Sequence, residues 1–514
     1  MSNSRIENTK KNISSGVINK LSSMLLQFVN RTAIIYILGI QYAGLSGLFS
    51  SILDVLAIAE LGFNSAIVFS LYKPMAEKDE KKICRLVSVI RRVYNIIGTC
   101  ILIVGLIILP FLKCFIHGEY PNSINIYILY LISLLNSVIS YFLFAYKECL
   151  LIADQKQNIS NNIRTFVNIV RYVTQLIVLL FFQNYYIYLI LAIIFTIITN
   201  VLIQAQTKRL YPYFRIDYSL KKVPVEIVKY VKGIMVNKIC DTFRNSFDNI
   251  IISSFLGLTL SSVYGNYYYV FSAIYQIMLV LSSAMGASIG NSIVKEDVSK
   301  NYKDLLIFCS IYSWLLGIVS SLLLTLYQPF MKLWVGKKYM LSDFDMMLFV
   351  VYLYVLCMCN IRNQYISGTG LWWKLKVSYI LEAAFNLILN ITLAKFMGIT
   401  GVLLATIITI VIFNYFQRNA ILFESYFGKK RLWSFHIEQI YYCILAFLSC
   451  FICYKISNTI HMMIFPKMIV NMVICFLVCN VIYIVGYKFS YSFDITISFI
   501  KRFIKPYNMK HFSK

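Results

Sequence analysis

Charged residues are scarce in this chain, and acidic residues are scarcer than basic ones. Only 14% of the 514 residues are charged, with 22 acidic residues against 48 basic ones. Soluble domains carry about 25% charged residues, whereas hydrophobic residues make up 59% of this chain. Every polar gap between the apolar segments is short. The composition therefore excludes an ordinary soluble protein and predicts an integral membrane protein without a separate soluble domain.

Several catalytic and cofactor signatures are missing as well. The chain has no GxxxxGKS or GxxxxGKT loop to hold the phosphates of ATP, and no hydrolase or transferase constellation. Its 13 cysteines and 4 histidines show no paired metal spacing. Cys450 and Cys453 stand in an apolar stretch, where cysteine acts as a small hydrophobe. We therefore expect no enzyme activity, no metal and no cofactor, with coupling to Na⁺ or H⁺ left open.

Long apolar segments dominate what is present. Windows of about 20 apolar residues mark transmembrane helices. Residues 1–12 are polar and lack the apolar core that a cleaved signal peptide would have. The sequence predicts an all-α integral membrane protein of fourteen spans. The predicted spans 1 to 14 are 13–39, 41–72, 83–112, 122–152, 157–181, 185–207, 233–257, 260–294, 303–328, 343–367, 375–397, 400–423, 433–455 and 462–487.

The distribution of basic residues predicts the orientation of these spans. With the N-terminus inside, 32 of the 48 basic residues are assigned to cytoplasmic loops and tails. Such a bias is the usual sign of membrane topology, so the net charge of +26 does not indicate nucleic-acid binding. Both termini are expected to be cytoplasmic. The lysines predicted to lie outside are Lys113, Lys332, Lys337, Lys338, Lys395, Lys455 and Lys467.

The longest cytoplasmic gap divides the spans into two halves, as in many transporters. Tyr42 to Leu45 leads into span 2, and the weakly similar run Val263 to Tyr267 leads into span 8. The predicted segments are a cytoplasmic N-terminus (1–12), an N-lobe of six helices (13–207), a linker (208–232), a C-lobe of six helices (233–423), two additional helices (433–487) and a basic cytoplasmic tail (488–514).

Span 5 carries a polar stripe. Arg164, Asn168, Arg171 and Gln175 are spaced by four, three and four residues, which places them on one face of a helix. Two arginines on one stripe of a membrane helix are costly unless they face protein or water. The sequence therefore predicts a cationic, water-accessible cavity. The alternative is that these arginines pair with acidic side chains of neighbouring helices, namely Asp54, Glu60 or Glu148.

Further charges lie inside spans 1 and 7. Arg31 stands well within the apolar run of span 1. In span 7, Asp241 or Asp248 could bind Na⁺ or a proton, because a carboxylate buried beside bases can titrate near neutrality. The alternative is a self-neutralised helix in which Arg244 and Asp248, four residues apart, form an ion pair.

Amide and acidic side chains form two more stripes. Asn360 and Gln364 lie on span 10, and Glu382 and Asn386 lie on span 11. Such groups can hydrogen-bond sugar hydroxyls. They can equally hold helices together through interhelical hydrogen bonds, and the sequence leaves both roles open.

Several short motifs carry a resemblance to a known family. They are Leu38-Gly39, Tyr42-x-Gly44-Leu45, Glu60-Leu61-Gly62, Leu71-Tyr72-Lys73-Pro74, Asp248-Asn249-Ile250-Ile251-Ile252, Tyr264-Gly265-Asn266-Tyr267 and Leu333-Trp334-Val335-Gly336. With them the chain resembles the polysaccharide transport flippases, the Wzx-like branch of the multidrug/oligosaccharidyl-lipid/polysaccharide (MOP) exporter superfamily. The resemblance implies two six-helix lobes that form a V-shaped cavity, with two additional C-terminal helices.

The same resemblance implies a function and a set of residues for it. Such a protein moves an undecaprenyl-diphosphate-linked oligosaccharide across the bacterial cytoplasmic membrane, for capsule, O-antigen or exopolysaccharide assembly, by alternating access. Its protein partners would be a polysaccharide polymerase and glycosyltransferases, with no nucleic acid. Expected counter-charges for the diphosphate are Arg31, Arg164, Arg171, Lys238 and Arg244. Expected glycan contacts are Asn168, Gln175, Asn245, Asn360, Gln364, Glu382 and Asn386.

Three other functions stay open at this level. A lipid II flippase would also have fourteen helices and a cationic cavity, although the arginine-aspartate pair expected early in such proteins is absent, since Arg31 precedes Thr32. A drug antiporter of the MATE type normally has twelve helices and a less basic lumen. A non-transporting scaffold of a polysaccharide assembly complex would have no need of a cationic stripe inside the membrane.

Overall fold

A computed structural model describes residues 2–60, 63–118, 120–217, 219, 225–490, 493 and 496. This part of the chain is built from helices and contains no β-strand. The helices are α1 Ser2–Ala33, α2 Ile40–Leu56, α3 Phe63–Glu77, α4 Glu80–Ile108, α5 Ile126–Phe142, α6 Glu148–Ala153, α7 Gln157–Phe182, α8 Tyr185–Leu210, α9 Val225–Leu256, α10 Leu258–Lys295, α11 Val298–Trp334, α12 Asp343–Met358, α13 Asn360–Thr369, α14 Lys376–Met397, α15 Ile399–Thr409, α16 Arg418–Leu422, α17 Lys430–Thr459 and α18 Ile464–Tyr487.

Helix coincides with each of the fourteen predicted spans, which confirms the all-α membrane architecture. Among the described residues, 11 helices are long and apolar enough to cross a membrane, or 12 if α5 and the segment Ala145–Ala153, bent by 46°, form one span. Span 2 falls short of this measure because it is divided into α2 and α3. Span 7 falls short because charged residues recur along α9.

Side-chain caps and glycines set the ends of several helices. Asp79 accepts a hydrogen bond from the backbone amide of Lys82 at the start of α4, as N-cap residues usually do. Gly39 (φ +114°) and Gly257 (φ +90°) separate α2 and α10 from the helical segments that precede them. A positive φ is strained for residues with a Cβ atom, so glycine permits both tight connections.

The chain divides into two compact units. The first comprises Met1–Gly265 with Asn390–Gly398, and the second comprises Asn266–Leu389 with Ile399–Lys514. Helix α9, predicted to open the C-lobe, lies in the first unit. The predicted division into lobes and linker at 208–232 stays a prediction, and most of the predicted basic tail lies outside the described residues.

Helices α1 and α7 pack along each other within the first unit. Their contact is polar: Asn19 Nδ2 donates to Thr165 Oγ1 at 2.9 Å, and Asn30 Nδ2 donates to the Tyr172 carbonyl at 3.2 Å. Interhelical hydrogen bonds of this kind hold membrane helices together. One polar edge of α7 is thus occupied by α1, and the adjacent edge faces α5 and α8.

Candidate functional site

A polar cavity of about 380 Å³ lies in the first unit. It is bounded by α4, α5, the start of α6, α7 and α8. Hydroxyl, amide and charged groups make up nearly all of its lining, so the cavity is suited to water and polar ligands. The lining residues are Tyr94, Ser137, Ser140, Tyr141, Ala145, Glu148, Arg164, Asn168, Arg171, Thr196, Thr199 and Asn200.

Three of the four residues of the predicted stripe on α7 line this cavity, namely Arg164, Asn168 and Arg171. The fourth, Gln175, is buried, and its Nε2 donates to the carbonyl of Tyr188 on α8 at 2.8 Å. The spacing therefore predicts the shared face correctly, but the end of that face packs against a neighbouring helix.

Arg164 has an acidic partner. Its Nη2 lies 2.6 Å from Glu148 Oε2, with side-chain exposures of 43% and 18%. The sequence had left this pairing open as an alternative. The side chain of Glu60, another acid considered there, lies outside the described residues. The Arg164 charge is thus balanced by Glu148 at the wall of the cavity.

Arg171 stands two helical turns further along α7. Its guanidinium carbon lies 4.4 Å from the ring centre of Tyr172, a cation–π contact. Within the described part of the chain no carboxylate comes within ion-pair distance of Arg171, and its buried Nε has no hydrogen-bond partner there. With Arg164 balanced by Glu148, Arg171 supplies the net positive charge of the cavity.

Arg31 lies at a different place in the first unit. Its Nη2 donates to the carbonyl of Ser262 at 3.5 Å, near the start of α10. A Cβ atom on Gly265 would come within 3.0 Å of the same nitrogen. Arg31 is not among the residues that line the cavity, and it packs against the first turns of α10.

Helix α9 carries an ion pair. Arg244 is 6% exposed, and its Nη2 lies 3.2 Å from Asp241 Oδ1. The partner seen is thus three residues before Arg244, whereas the sequence suggested Asp248, four residues after it. Lys238 is half-buried, and the side chain of Asn245 lies outside the described residues.

Asp248 is the most deeply buried acid described on α9. It is 1% exposed. Its Oδ2 accepts from the Tyr264 hydroxyl at 3.2 Å, and its Oδ1 accepts from Asn390 Nδ2 at 2.7 Å. Hydrogen bonds to a carboxylate stabilise its charged form in a nonpolar surrounding. The first unit thus holds a buried acid whose two carboxylate oxygens accept hydrogen bonds from protein groups.

The second unit contains a buried ion pair that was not predicted from the sequence. Arg418, which lies within predicted span 12, is 2% exposed and pairs with Glu382. Its guanidinium lies 3.6 Å from the ring centre of Tyr379. The sequence carries no sign of this pair because Arg418 stands near the end of an apolar run, where an arginine usually reaches the membrane surface.

The amides predicted as glycan contacts in the second unit bond to protein. Asn386 Nδ2 donates to the hydroxyls of Thr406 and Thr409 at 3.2 and 3.3 Å. Asn360 Nδ2 donates to the Tyr312 hydroxyl at 2.9 Å. Gln364 is half-buried. The hydrogen bonds of Asn386 and Asn360 have the geometry of interhelical contacts, the alternative named above, and their glycan role stays a prediction.

Sequence reasoning did not identify the polar wall that α5 and α8 contribute to the cavity. Thr196 donates to Asn136 at 2.9 Å, and Asn200 donates to Ser140 at 3.0 Å. Thr196, Thr199 and Asn200 follow helical spacing on α8, and this was the available signal. Neutral polar side chains cost little free energy in a membrane helix. Their presence in the sequence therefore indicates a functional site less clearly than an arginine does.

Comparison with solved structures shows which proteins share this fold. The sequence matches no protein-family model and no curated protein. The solved structure of the lipid II flippase MurJ, in an inward closed conformation, is similar with a TM-score of 0.69 at 16% identity, over 93% of this chain and 99% of that chain.

Two transporters of the MATE type are also similar in structure. An inward-facing multidrug resistance transporter of the MOP superfamily has a TM-score of 0.59 at 13% identity, over 79% of this chain and 98% of that chain. A Vibrio cholerae MATE transporter has a TM-score of 0.54 at 15% identity, over 81% and 98%. The chain therefore has the fold of MOP-type membrane transporters, as the sequence resemblance implied.

Proposed function

We propose that this chain is a flippase for an undecaprenyl-diphosphate-linked oligosaccharide, acting in surface polysaccharide biosynthesis at the bacterial cytoplasmic membrane. The observation that carries the proposal is Arg171, a cation without a carboxylate partner among the described residues, in a polar cavity of a MOP-type fold. A diphosphate is costly to move through a low-dielectric layer without a counter-charge. A guanidinium can donate two parallel hydrogen bonds to a phosphate.

The rest of the cavity suits the glycan. Its hydroxyl and amide groups, including Ser137, Thr199 and Asn168, can exchange hydrogen bonds with sugar hydroxyls. The prenyl chain would remain in the lipid, so only the head of the substrate has to enter the polar space. Arg31, Lys238 and Arg244 are proposed as further counter-charges on the path, and rocking of the two lobes is the proposed form of alternating access.

The test is complementation of a bacterium that lacks its own flippase and makes a compatible polysaccharide. Wild type, Arg171→Ala and Arg209→Ala are compared at equal membrane abundance. Arg209 is the matched control, because it is an exposed cation of the same unit, at the end of α8, and does not line the cavity. We expect surface polymer with wild type and Arg209→Ala, and its loss with Arg171→Ala.

Other outcomes contradict particular parts of the proposal. Equal restoration by Arg171→Ala would keep the flippase and make Arg171 a structural residue. Failure of the wild-type protein with several compatible glycans would contradict this substrate class. A chain that restores polymer only as an inert scaffold should tolerate Arg171→Ala, Arg31→Ala and Arg244→Ala alike.

Transport of lipid II is the second candidate, because the structure of a lipid II flippase covers 93% of this chain. The same cationic cavity would serve a lipid-linked precursor of that kind. Rescue of a strain depleted of its lipid II flippase, together with failure to restore surface polysaccharide, would favour this function. Drug antiport is the weaker candidate, because the MATE structure with the TM-score of 0.59 covers only 79% of this chain.

A further inference from the structure

A second cavity lies in the second unit, and both polar and apolar side chains line it. Its volume is about 360 Å³. It lies where four helix ends meet, namely the ends of α11 and α17 and the starts of α12 and α18. The distribution of basic residues predicts that these helix ends are the outer ones. With this predicted orientation, the cavity lies toward the outer interface between lipid tails and water.

Two lysines give this cavity its charge. Lys332 stands in the last turn of α11, and Lys467 stands in the first turn of α18. Neither has a carboxylate within ion-pair distance among the described residues, although both line the cavity. Asp343, the one acid in the lining, accepts a hydrogen bond from Gln328 Nε2 at 3.0 Å. Two cations and one carboxylate leave a net charge of about +1 at neutral pH.

An apolar groove adjoins this cavity. Its volume is about 340 Å³, and it runs along α10 and α11 beside Met468. Phe330 and Met468 of the groove directly follow Pro329 and Lys467 of the second cavity along the chain. From Val319 to Phe330, α11 rises roughly 16 Å. That length matches about half of the 30 Å hydrocarbon core, the depth of one lipid leaflet.

We propose that this paired site binds an anionic glycerophospholipid of the outer leaflet. The phosphodiester lies between Lys332 and Lys467, and its single negative charge matches the net charge of the cavity. Hydroxyls of the headgroup meet Tyr454, Ser457 and Asn458 in the same lining. One acyl chain follows the groove on α11. The site shares no lining residue with the cationic cavity, and its occupancy does not depend on which substrate the protein transports.

Native mass spectrometry of the full-length protein in detergent tests this site. The protein is titrated with phosphatidylglycerol and, in parallel, with phosphatidylcholine. We expect wild type to retain phosphatidylglycerol preferentially. Lys332→Ala with Lys467→Ala should weaken that binding by roughly 25-fold, since each lysine near a membrane surface contributes about a fivefold effect. The control is Lys337→Ala with Lys338→Ala, which removes two exposed lysines of the adjoining turn.

Two further variants keep the test decisive if the double alanine variant folds poorly. Lys332→Arg with Lys467→Arg keeps both charges and should retain phosphatidylglycerol like wild type. Leu326→Trp fills the groove and should weaken binding while both lysines remain. Equal retention of the two lipids, equal loss in the control pair, or displacement of phosphatidylglycerol by a polyprenyl diphosphate would overturn the proposal. The last result would assign the site to a transported lipid.

Discussion

Two arginines of α7 stand in one cavity with different charge balances. Glu148 lies 2.6 Å from Arg164, while Arg171 has only an aromatic ring beside its guanidinium among the contacts described. In a polar space inside a membrane protein, charge interactions are stronger than in water. The net charge of the cavity, and with it the affinity for an anion, therefore depends on one acid as much as on two arginines.

Replacing that acid should strengthen anion binding. Glu148→Gln removes the negative charge that balances Arg164. We therefore expect inorganic pyrophosphate to bind the purified protein about fivefold more tightly, because the cavity attracts it by roughly 1 kcal/mol more. Isothermal titration calorimetry measures this. Glu296→Gln is the matched control, because Glu296 forms an exposed pair with Lys300 outside the cavity. Unchanged affinity in Glu148→Gln would mean that Arg164 does not contribute to the anion site.

The two described acids of α9 differ in burial, and we therefore expect them to differ in their contribution to ion coupling. Asp248 is 1% exposed and bonded to Tyr264 and Asn390, whereas Asp241 pairs with Arg244 and has a side chain 44% exposed. If transport is coupled to Na⁺ or H⁺, Asp248→Asn should abolish the ion dependence of flipping in reconstituted vesicles. Asp241→Asn serves as the comparison. Ion dependence that persists in both variants would refute coupling through α9.

The pair of Arg418 and Glu382 permits a stability prediction. Both side chains are less than 5% exposed. Glu382→Gln leaves a buried guanidinium without its carboxylate, which costs about 3–5 kcal/mol in comparable cases. We expect a clearly lower thermal unfolding midpoint in detergent. Glu382→Leu combined with Arg418→Met should recover most of the loss, because neither member of the pair is left buried with an uncompensated charge. A midpoint for Glu382→Gln equal to that of wild type would contradict a stabilising role.

At the scale of the helices, close packing in the first unit depends on a glycine. A Cβ atom on Gly44 of α2 would lie 2.3 Å from the carbonyl oxygen of Leu258 at the start of α10. A backbone carbonyl cannot turn aside as a side chain can. Gly44 also belongs to the Tyr42-x-Gly44-Leu45 motif of the sequence. This close contact explains why a residue without a side chain stands at that position.

Substitution of Gly44 should therefore destabilise the protein. Gly44→Ala forces α2 and α10 apart, at a cost of about 1–3 kcal/mol for an overpacked site. Gly290→Ala is the control: its Cβ would meet nothing within 4 Å, and alanine is favoured over glycine in a helix by about 1 kcal/mol. Thermal unfolding in detergent measures both variants. Equal midpoints for Gly44→Ala and wild type would show that the contact relaxes freely.

The helical elements could be predicted from the sequence because apolar length is a local property. Each of the fourteen predicted spans contains helix among its described residues, and 11 or 12 helices there are long and apolar enough to cross a membrane. The division of span 2 into α2 and α3 was not predicted, since both halves are apolar and hydropathy does not mark where one helix ends within an apolar run. On α7 the shared face of Arg164, Asn168 and Arg171 follows from helical spacing alone.

At the scale of the whole molecule, the charge distribution predicts orientation. Single cysteines are introduced at Lys337, predicted outside, and at Lys81, predicted inside, in a variant without native cysteines. A membrane-impermeant maleimide should label the first in intact cells and the second only after the membrane is opened, because basic residues collect in cytoplasmic loops. Labelling of Lys81→Cys in intact cells would reverse the topology.

The sequence by itself determined the class of protein, the helices and the placement of polar residues on helix faces. These follow from composition and from periodicity, both of which act over a few residues. Only the tertiary structure decided which charges are compensated. Arg164 meets Glu148 and Arg418 meets Glu382 across gaps of 16 and 36 residues. Such meetings depend on how helices pack, and helix packing is set by contacts far apart in the chain.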